Sequence, residues 1–126
     1  TMDLREMQFV TRDRFSDYSI LISKFAEITN HNDYLITLGR SGCLYVKGGR
    51  TFYAPIFSND VMDTIGAGDA VFSITSLLRY KDVESELIPF FANCLGGLAV
   101  QILGNSTSIS KESLSNFIRK IYNAVY

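Results

Sequence analysis

The sequence has few of the residues that build metal sites. It contains one histidine, His31, and two cysteines, Cys43 and Cys94, which lie far apart along the chain. This pattern lacks the ligand spacing of a zinc finger or a zinc ribbon. Two lone thiols are typical of a reducing compartment, so we expect a cytoplasmic protein in which the cysteines serve packing.

The sequence also lacks an excess of either charge and a long apolar run. Twelve Lys or Arg residues stand against thirteen Asp or Glu residues, for a net charge of −1. A chain so balanced has no basic field to hold a nucleic-acid backbone or an anionic membrane. The longest nearly apolar run, residues 88–103, is shorter than the roughly 18 residues of a membrane-spanning helix. We therefore expect a soluble protein that acts through a local site, without nucleic-acid or membrane partners.

The sequence does contain alternating helical and strand patterns, within the length of one domain. We first predict a helix from Arg14 to Ile28, with Ser16 or Asp17 near its start, then a buried strand over 34–39 and a hairpin that turns at 47–50. A buried central helix should follow over 67–80, and another helix over about 84–103, with Pro89 in its first turn or at a kink. The last element should be an amphipathic helix capped by Ser110. This order predicts an α/β fold. Its few strands indicate part of a larger fold.

The stretch "VMDTIGAGDAVF", residues 61–72, is the most informative in the chain. Gly66 and Gly68 flank Ala67 where the central helix begins, so the backbone N–H groups there are not covered by side chains and lie at the positive end of the helix dipole. Such a helix start binds anions. Asp69 lies in the same turn, where a carboxylate beside a phosphate is unfavourable unless it takes a proton from an attacking hydroxyl. The stretch therefore indicates phosphoryl transfer.

A structural interpretation of the same residues stays open on spacing alone. Asp63 and Thr64 could cap a turn, the glycines could form a tight corner, and Asp69 could only complement the helix dipole. No Gly-Lys-Ser/Thr follows, so the stretch is not a Walker loop.

Three blocks together resemble the ribokinase-like (PfkB) family of sugar kinases. They are "DTIGAGDAVF", which is similar to the family's long D-T-x-G-A-G-D signature, "TLGRSG" (37–42), and "FFANCLGGLAVQILGNSTSI" (90–109). The resemblance implies that residues 1–126 are the C-terminal, nucleotide-binding part of a kinase domain with a three-layer α/β/α fold, made here of a strand, a hairpin and three helices. It also implies ATP and Mg²⁺ as reactants, with a sugar or sugar phosphate as acceptor.

The resemblance assigns roles to individual residues. Asp69 would be the catalytic base, and the N–H groups of Gly66, Ala67 and Gly68 would form the anion hole. The residues expected to line the nucleotide are Thr37, Leu38, Gly39, Arg40, Ser41, Gly42, Gly68, Asp69 and Asn93, the last against the adenine.

The resemblance extends to two ion sites. A potassium ion, as in the potassium-activated members, would lie near Asp63, Ile65, Gly104 and Ser108. "DLRE" (3–6) resembles the family's N-x-x-E motif, in which Glu6 would help to organise Mg²⁺, although Asp3 stands where the motif has Asn. His31 matches no catalytic position and is expected in a turn.

The missing amino-terminal half of such a kinase would carry most of the sugar contacts. We therefore expect the isolated chain to bind nucleotide weakly, to transfer phosphate poorly, and to expose a sheet edge that pairs with that half or with another copy. "LGNSTSIS" is similar to the corresponding loop of the heptose 7-phosphate kinases of the ADP-heptose pathway, but ribokinase-type and phosphofructokinase-type substrates stay open. The alternative function is a nucleotide-binding or interaction module without catalysis.

Overall fold

The computed structural model describes residues 1–57, 66–102 and 108–125. Its strands are β1 (Met2–Asp3), β2 (Asp33–Thr37), β3 (Cys43–Lys47) and β4 (Arg50–Ala54). Its α-helices are α1 (Leu4–Thr11), α2 (Tyr18–Thr29), α3 (Ala67–Tyr80), α4 (Leu87–Ala99) and α5 (Lys111–Val125), and a 3₁₀ turn covers Gly39–Ser41.

The strands form one sheet in the order β1-β2-β3-β4. β1 is parallel to β2, whereas β2, β3 and β4 are antiparallel in succession. The predicted hairpin is confirmed, because Gly48 and Gly49 join β3 to β4 with φ values of 56° and 79°. Two successive positive φ angles match the right-handed twist of the flanking strands, which explains the glycine pair.

The sheet lies between two layers of helices, as predicted. Side chains alternate across a strand, so successive residues of β2 and β3 enter different cores. The first core, against α1 and α2, contains Met7, Leu21, Phe25, Tyr34, Ile36, Leu44 and Val46. The second core, against α3 and α4, contains Leu35, Cys43, Tyr45, Val71, Ile88 and Ala92.

The helix predicted to begin at Arg14 begins four residues later. Asp13 explains the difference, because its carboxylate accepts hydrogen bonds from the backbone N–H groups of Phe15 and Ser16 and from the Ser16 hydroxyl. These bonds hold a turn that competes with helix formation. The N-cap is Asp17, which is one of the two residues predicted near the start of the helix. Phe15, which was predicted to lie in this helix, precedes it and is 98% exposed.

Sequence analysis missed β1 and α1, and with them the capping box at the start of that helix. The Asp3 carboxylate accepts a hydrogen bond from the Glu6 N–H at 2.8 Å, and the Glu6 carboxylate accepts one from the Asp3 N–H at 2.8 Å. Both bonds satisfy N–H groups that a helix start leaves unpaired. The pattern D-x-x-E was therefore a helix-start signal as well as a family motif.

The helix over residues 67–80 has the predicted bounds but not the predicted burial. Val71 and Thr75 are buried, whereas Phe72 is 55% exposed and Tyr80 is 79% exposed. In this chain α3 packs mainly along one side, against α4, where a Cβ added at Gly96 would lie 3.6 Å from the Val71 side chain. The prediction of a central, buried helix is therefore wrong for the described residues of the chain, in which only one side of α3 is buried.

The last two helices keep most of their predicted features. α4 is shorter than expected at each end, and Pro89 lies in its first turn, where a proline costs no intrahelical hydrogen bond. The Ser110 hydroxyl accepts a hydrogen bond from the Ser113 N–H at 3.0 Å, which confirms the predicted cap of α5. Over the described ranges of the chain, none of the helices combines the length and the apolar character needed to cross a bilayer.

A polar cluster joins the end of α3 to the beginning of β2. The Asp33 carboxylate accepts hydrogen bonds from the Tyr45 hydroxyl at 2.7 Å and from Arg79 Nε at 2.6 Å. Arg79 also donates to the carboxylate of Asp82 at 2.8 Å. Partial burial alone would raise the pKa of Asp33, but the Tyr45 hydroxyl and the Arg79 charge outweigh it, and the pKa is lowered.

Gly42 lies very close to the backbone at the end of β4. Its φ is 89°, and a Cβ added there would lie 2.1 Å from the carbonyl oxygen of Ala54 and 3.0 Å from Pro55 Cα. No rearrangement of a flexible side chain can relieve a clash with backbone. Only glycine therefore lets the chain after β2 approach the end of β4 this closely.

We predict that Tyr45→Phe lowers the free energy of unfolding of the protein by roughly 1 kcal/mol at pH 7, because it removes the hydroxyl that donates to the Asp33 carboxylate. Since folding lowers the pKa of Asp33, the stabilisation is present above the ordinary carboxyl pKa of about 4 and is lost as the pH falls through the lowered value. Chemical unfolding at pH 7 and pH 3 measures this. The difference should shrink at pH 3, and Tyr80→Phe, on an exposed tyrosine, should be neutral at both.

We predict that Gly42→Ala is far more harmful than Gly39→Ala. Both glycines have positive φ, so each alanine costs about 1 kcal/mol of backbone strain, but a Cβ at Gly39 meets no atom within 4 Å. Thermal unfolding of the two variants isolates the clash with Ala54. Equal losses of stability would show that the close approach has no energetic role.

Candidate active site

Three strands end at one edge of the sheet. β1 and β2 are parallel and end together, at the paired residues Asp3 and Thr37. β4 runs parallel to β2, because each is antiparallel to β3, and Ala54 pairs with Cys43, which in turn pairs with Thr37. In α/β sheets, ligands bind beyond the carboxyl ends of the parallel strands. We therefore expect a ligand site at this edge of the sheet.

The start of α3 lies at the same edge. Arg79, in the last turn of α3, binds Asp33 at the opposite end of β2, and Val71, in the second turn, belongs to the core that contains Cys43. A helix of 14 residues is about 21 Å long, which exceeds the roughly 16 Å of a five-residue strand. α3 therefore runs back across the sheet with its N-terminus toward the edge where β2 ends.

The first turn of α3 contains backbone N–H groups without an acceptor in the helix. Gly66 is the N-cap with φ of 80°, and the first intrahelical bond runs from the Ala70 N–H to the Gly66 carbonyl at 3.0 Å. The N–H groups of Ala67, Gly68 and Asp69 precede that bond and have no acceptor within the helix. A Cβ added at Gly68 would meet no atom within 4 Å, and Gly68 and Asp69 are exposed. Gly68 and Asp69 are therefore both accessible from solvent.

The loop after β2 closes on itself beside this edge. Residues 39–41 form one 3₁₀ turn, and the Leu38 N–H donates to the Gly42 carbonyl at 2.8 Å. The Thr37 hydroxyl points back to the Met2 carbonyl at 3.5 Å, and the Tyr53 hydroxyl donates to the Ser41 carbonyl at 3.0 Å. The loop therefore has a defined shape, and Gly39, Arg40 and Ser41 remain exposed.

Asn93 contacts the end of β4. Its Nδ2 donates to the Ala54 carbonyl at 2.6 Å and to the Pro55 carbonyl at 2.9 Å. Asn93 thus reaches the carbonyl against which Gly42 packs. Sequence reasoning placed Asn93 beside a nucleotide and did not find these bonds, since neither partner leaves a trace in side-chain identity.

Of the remaining predicted site residues, some are described by the structure and others lie outside the described residues. Glu6 follows the end of β1, and so lies near the same edge, with its carboxylate in the capping box of α1. Ser108 is exposed, whereas Asp63, Ile65 and Gly104 lie outside the described residues. Over residues 1–57, 66–102 and 108–125, no three His, Cys, Asp or Glu side chains form a cluster suited to a metal ion.

The cysteines lie in the core and do not contribute to the site. Burial raises the pKa of Cys43 and of Cys94 to about 12, so both thiols stay protonated at neutral pH. The Cys43 thiol donates to the carbonyl of Pro89 at 3.3 Å. Packing is therefore their role, and His31 is exposed after α2.

Comparison with known proteins identifies relatives in sequence and in structure. "Bifunctional protein HldE" of Geotalea uraniireducens is 38% identical over 74 residues, which are 58% of this chain and 15% of that protein. A ribokinase of Thermotoga maritima has a similar structure, with a TM-score of 0.81 at 21% identity over 93% of this chain and 40% of that one. Ribokinase of Arabidopsis thaliana, determined with ribose and ATP, gives a TM-score of 0.80 at 20% identity over 93% and 39%.

These similarities differ in what they establish. The chain spans less than half the length of each of these relatives, and structural similarity near 20% identity shows the fold alone. The model of the pfkB family of carbohydrate kinases, however, matches residues 16–112, which is most of the chain. The chain therefore has a ribokinase-like fold and belongs to the pfkB family of carbohydrate kinases.

Proposed function

We propose that this chain supplies the ATP site, the anion hole and the catalytic base of a kinase that phosphorylates a hydroxyl group of a sugar or sugar phosphate. The observation that carries the proposal is the first turn of α3, where the exposed Asp69 follows the exposed Gly68 at a helix N-terminus. Membership of the family supports carbohydrate phosphorylation in general. The likeness to a ribokinase determined with ribose and ATP supports ATP as the donor.

Asp69 acts in this proposal as the general base. Its carboxylate accepts the proton of the sugar hydroxyl while the hydroxyl oxygen forms a bond to the γ-phosphorus of ATP and the bond from that phosphorus to the bridging oxygen breaks, which releases ADP. The N–H groups of Gly66, Ala67 and Gly68 donate hydrogen bonds to the phosphoryl oxygens and stabilise the charge that develops on them. The residues of the loop 37–42 line the nucleotide.

We propose that the magnesium ion would be bound mainly by ATP. Mg²⁺ usually keeps several waters and binds through substrate phosphates and one or two carboxylates, so it requires no cage of protein side chains. When bound, it neutralises phosphate charge. Glu6 is the carboxylate that we propose to orient its water shell, and a potassium site at Asp63, Ile65, Gly104 and Ser108 is proposed on the family resemblance.

We propose a sugar phosphate as the acceptor, on the similarity to HldE proteins. Residues beyond these 126 would supply most contacts to the sugar, since the chain spans only part of the length of its relatives. The isolated chain would then bind nucleotide weakly and transfer phosphate poorly.

We predict that Asp69→Asn lowers the kcat of the complete polypeptide by a factor of about 10² to 10⁴, which is the usual contribution of a general base. ATP affinity should change little, because the amide keeps the size of the carboxylate. Steady-state kinetics and calorimetric titration of ATP with Mg²⁺ measure the two effects. Asp17→Asn is the matched control, because Asp17 is an exposed helix N-cap whose side chain makes no capping bond.

An unchanged kcat in Asp69→Asn would remove Asp69 from the mechanism. Saturable ATP binding by a parent protein that phosphorylates no sugar would instead favour a nucleotide-binding module without catalysis.

We predict that Gly68→Val weakens ATP binding by at least about tenfold without loss of stability. Gly68 has open space around it and no positive φ, so a side chain fits the fold and blocks only the approach of phosphate. Ser76→Val, at another exposed position of α3, introduces the same side chain as a control. ATP affinity equal to that of the parent would contradict the anion hole.

A further inference from the structure

Asn93 has no donor left for a ligand. A side-chain amide has two N–H bonds and one carbonyl oxygen, and both Nδ2 contacts of Asn93, at 2.6 and 2.9 Å, are to backbone carbonyls. Two carbonyl acceptors fix the orientation of the amide, because its own oxygen would be repelled by both. Only Oδ1, an acceptor, remains for any other partner.

The carbonyl of Ala54 is a junction between three parts of the site. It accepts the shorter of the two hydrogen bonds from Asn93, and it is the atom closest to the Cβ position of Gly42. Gly42 ends the loop that begins at Thr37. α4, the end of β4 and this loop therefore meet at one atom.

The position of β4 is transmitted to the loop at two points. Besides the contact of Gly42 with Ala54, the neighbouring Tyr53 hydroxyl holds the Ser41 carbonyl at 3.0 Å. Inside the loop, the Leu38 N–H donates a hydrogen bond to the Gly42 carbonyl. A shift of residues 53–55 would therefore displace Ser41 and Gly42 and weaken the bond that closes the loop.

We propose that Asn93 is a positioning residue for the nucleotide loop. By holding the Ala54 and Pro55 carbonyls, it keeps the end of β4 in the place that gives residues 38–42 their shape. This inference rests on the proposed ATP site, and it differs from direct recognition of adenine because it acts through the backbone and before nucleotide binds.

Asn93→Asp in the complete polypeptide tests the proposal, because it preserves the size and one acceptor oxygen of the side chain and removes both donors. We expect hydrogen exchange of the Leu38 amide to become at least about tenfold faster in the absence of nucleotide, as its acceptor Gly42 loses its fixed position. We also expect the Kd of ATP to rise about tenfold, with kcat at saturating ATP changed less than about threefold.

Asn116→Asp is the matched control, because it makes the same chemical change at an exposed position of α5. It should leave the exchange of Leu38 and the Kd of ATP as in the parent. Circular dichroism checks the fold of each variant, and Asn93→Ala, which removes the donors without adding a charge, replaces the aspartate variant if that one is unfolded.

The outcomes separate the two possible roles of Asn93. Slower ATP binding or weaker affinity with unchanged exchange of Leu38 would assign Asn93 to direct contact with the nucleotide and overturn positioning, as would no change in either measurement. A parent protein that fails to bind ATP would overturn the proposed function, whereas the exchange of Leu38 without nucleotide would still decide whether Asn93 holds the loop.

Discussion

The register of the β2, β3 and β4 ladder is the constraint on which the rest of the structure depends. It sends alternate side chains of each strand into the two cores, and it brings Thr37, Cys43 and Ala54 to one edge of the sheet. A slip by one residue would exchange the two cores and separate the loop after β2 from the end of β4. The site and the fold therefore depend on the same hydrogen bonds.

The helices of the second layer, α3 and α4, are held in place by polar contacts at this edge of the sheet and at the opposite edge. Arg79 ties the end of α3 to the start of β2, while Asn93 ties the middle of α4 to the end of β4. These polar contacts fix where a helix lies along a strand, which apolar packing alone specifies poorly because it is not directional. The proposed base, Asp69, is placed by contacts made one helix length away.

Local signals were the part of the structure that could be predicted. The glycine pair of the hairpin, the bounds of α3 and the Ser110 cap each follow from neighbouring residues, and the structure confirms them. The exclusion of Arg14, Phe15 and Ser16 from α2 and the exposure of α3 could not be predicted by periodicity. Asp13 competes for backbone donors in the first case, and in the second an apolar pattern says which residues seek burial, not which neighbour covers them.

The sequence by itself determined that α3 begins with two glycines and an acid, because the signals for a helix start lie in neighbouring residues. Only the tertiary structure decided that the loop 37–42, the first turn of α3 and the end of β4 share one edge. It also decided the partners of Asn93 and the need for Gly42, since both contact backbone atoms remote in sequence. Every residue type has a backbone carbonyl, so the pattern of side chains in a sequence cannot predict which carbonyl a remote residue will contact.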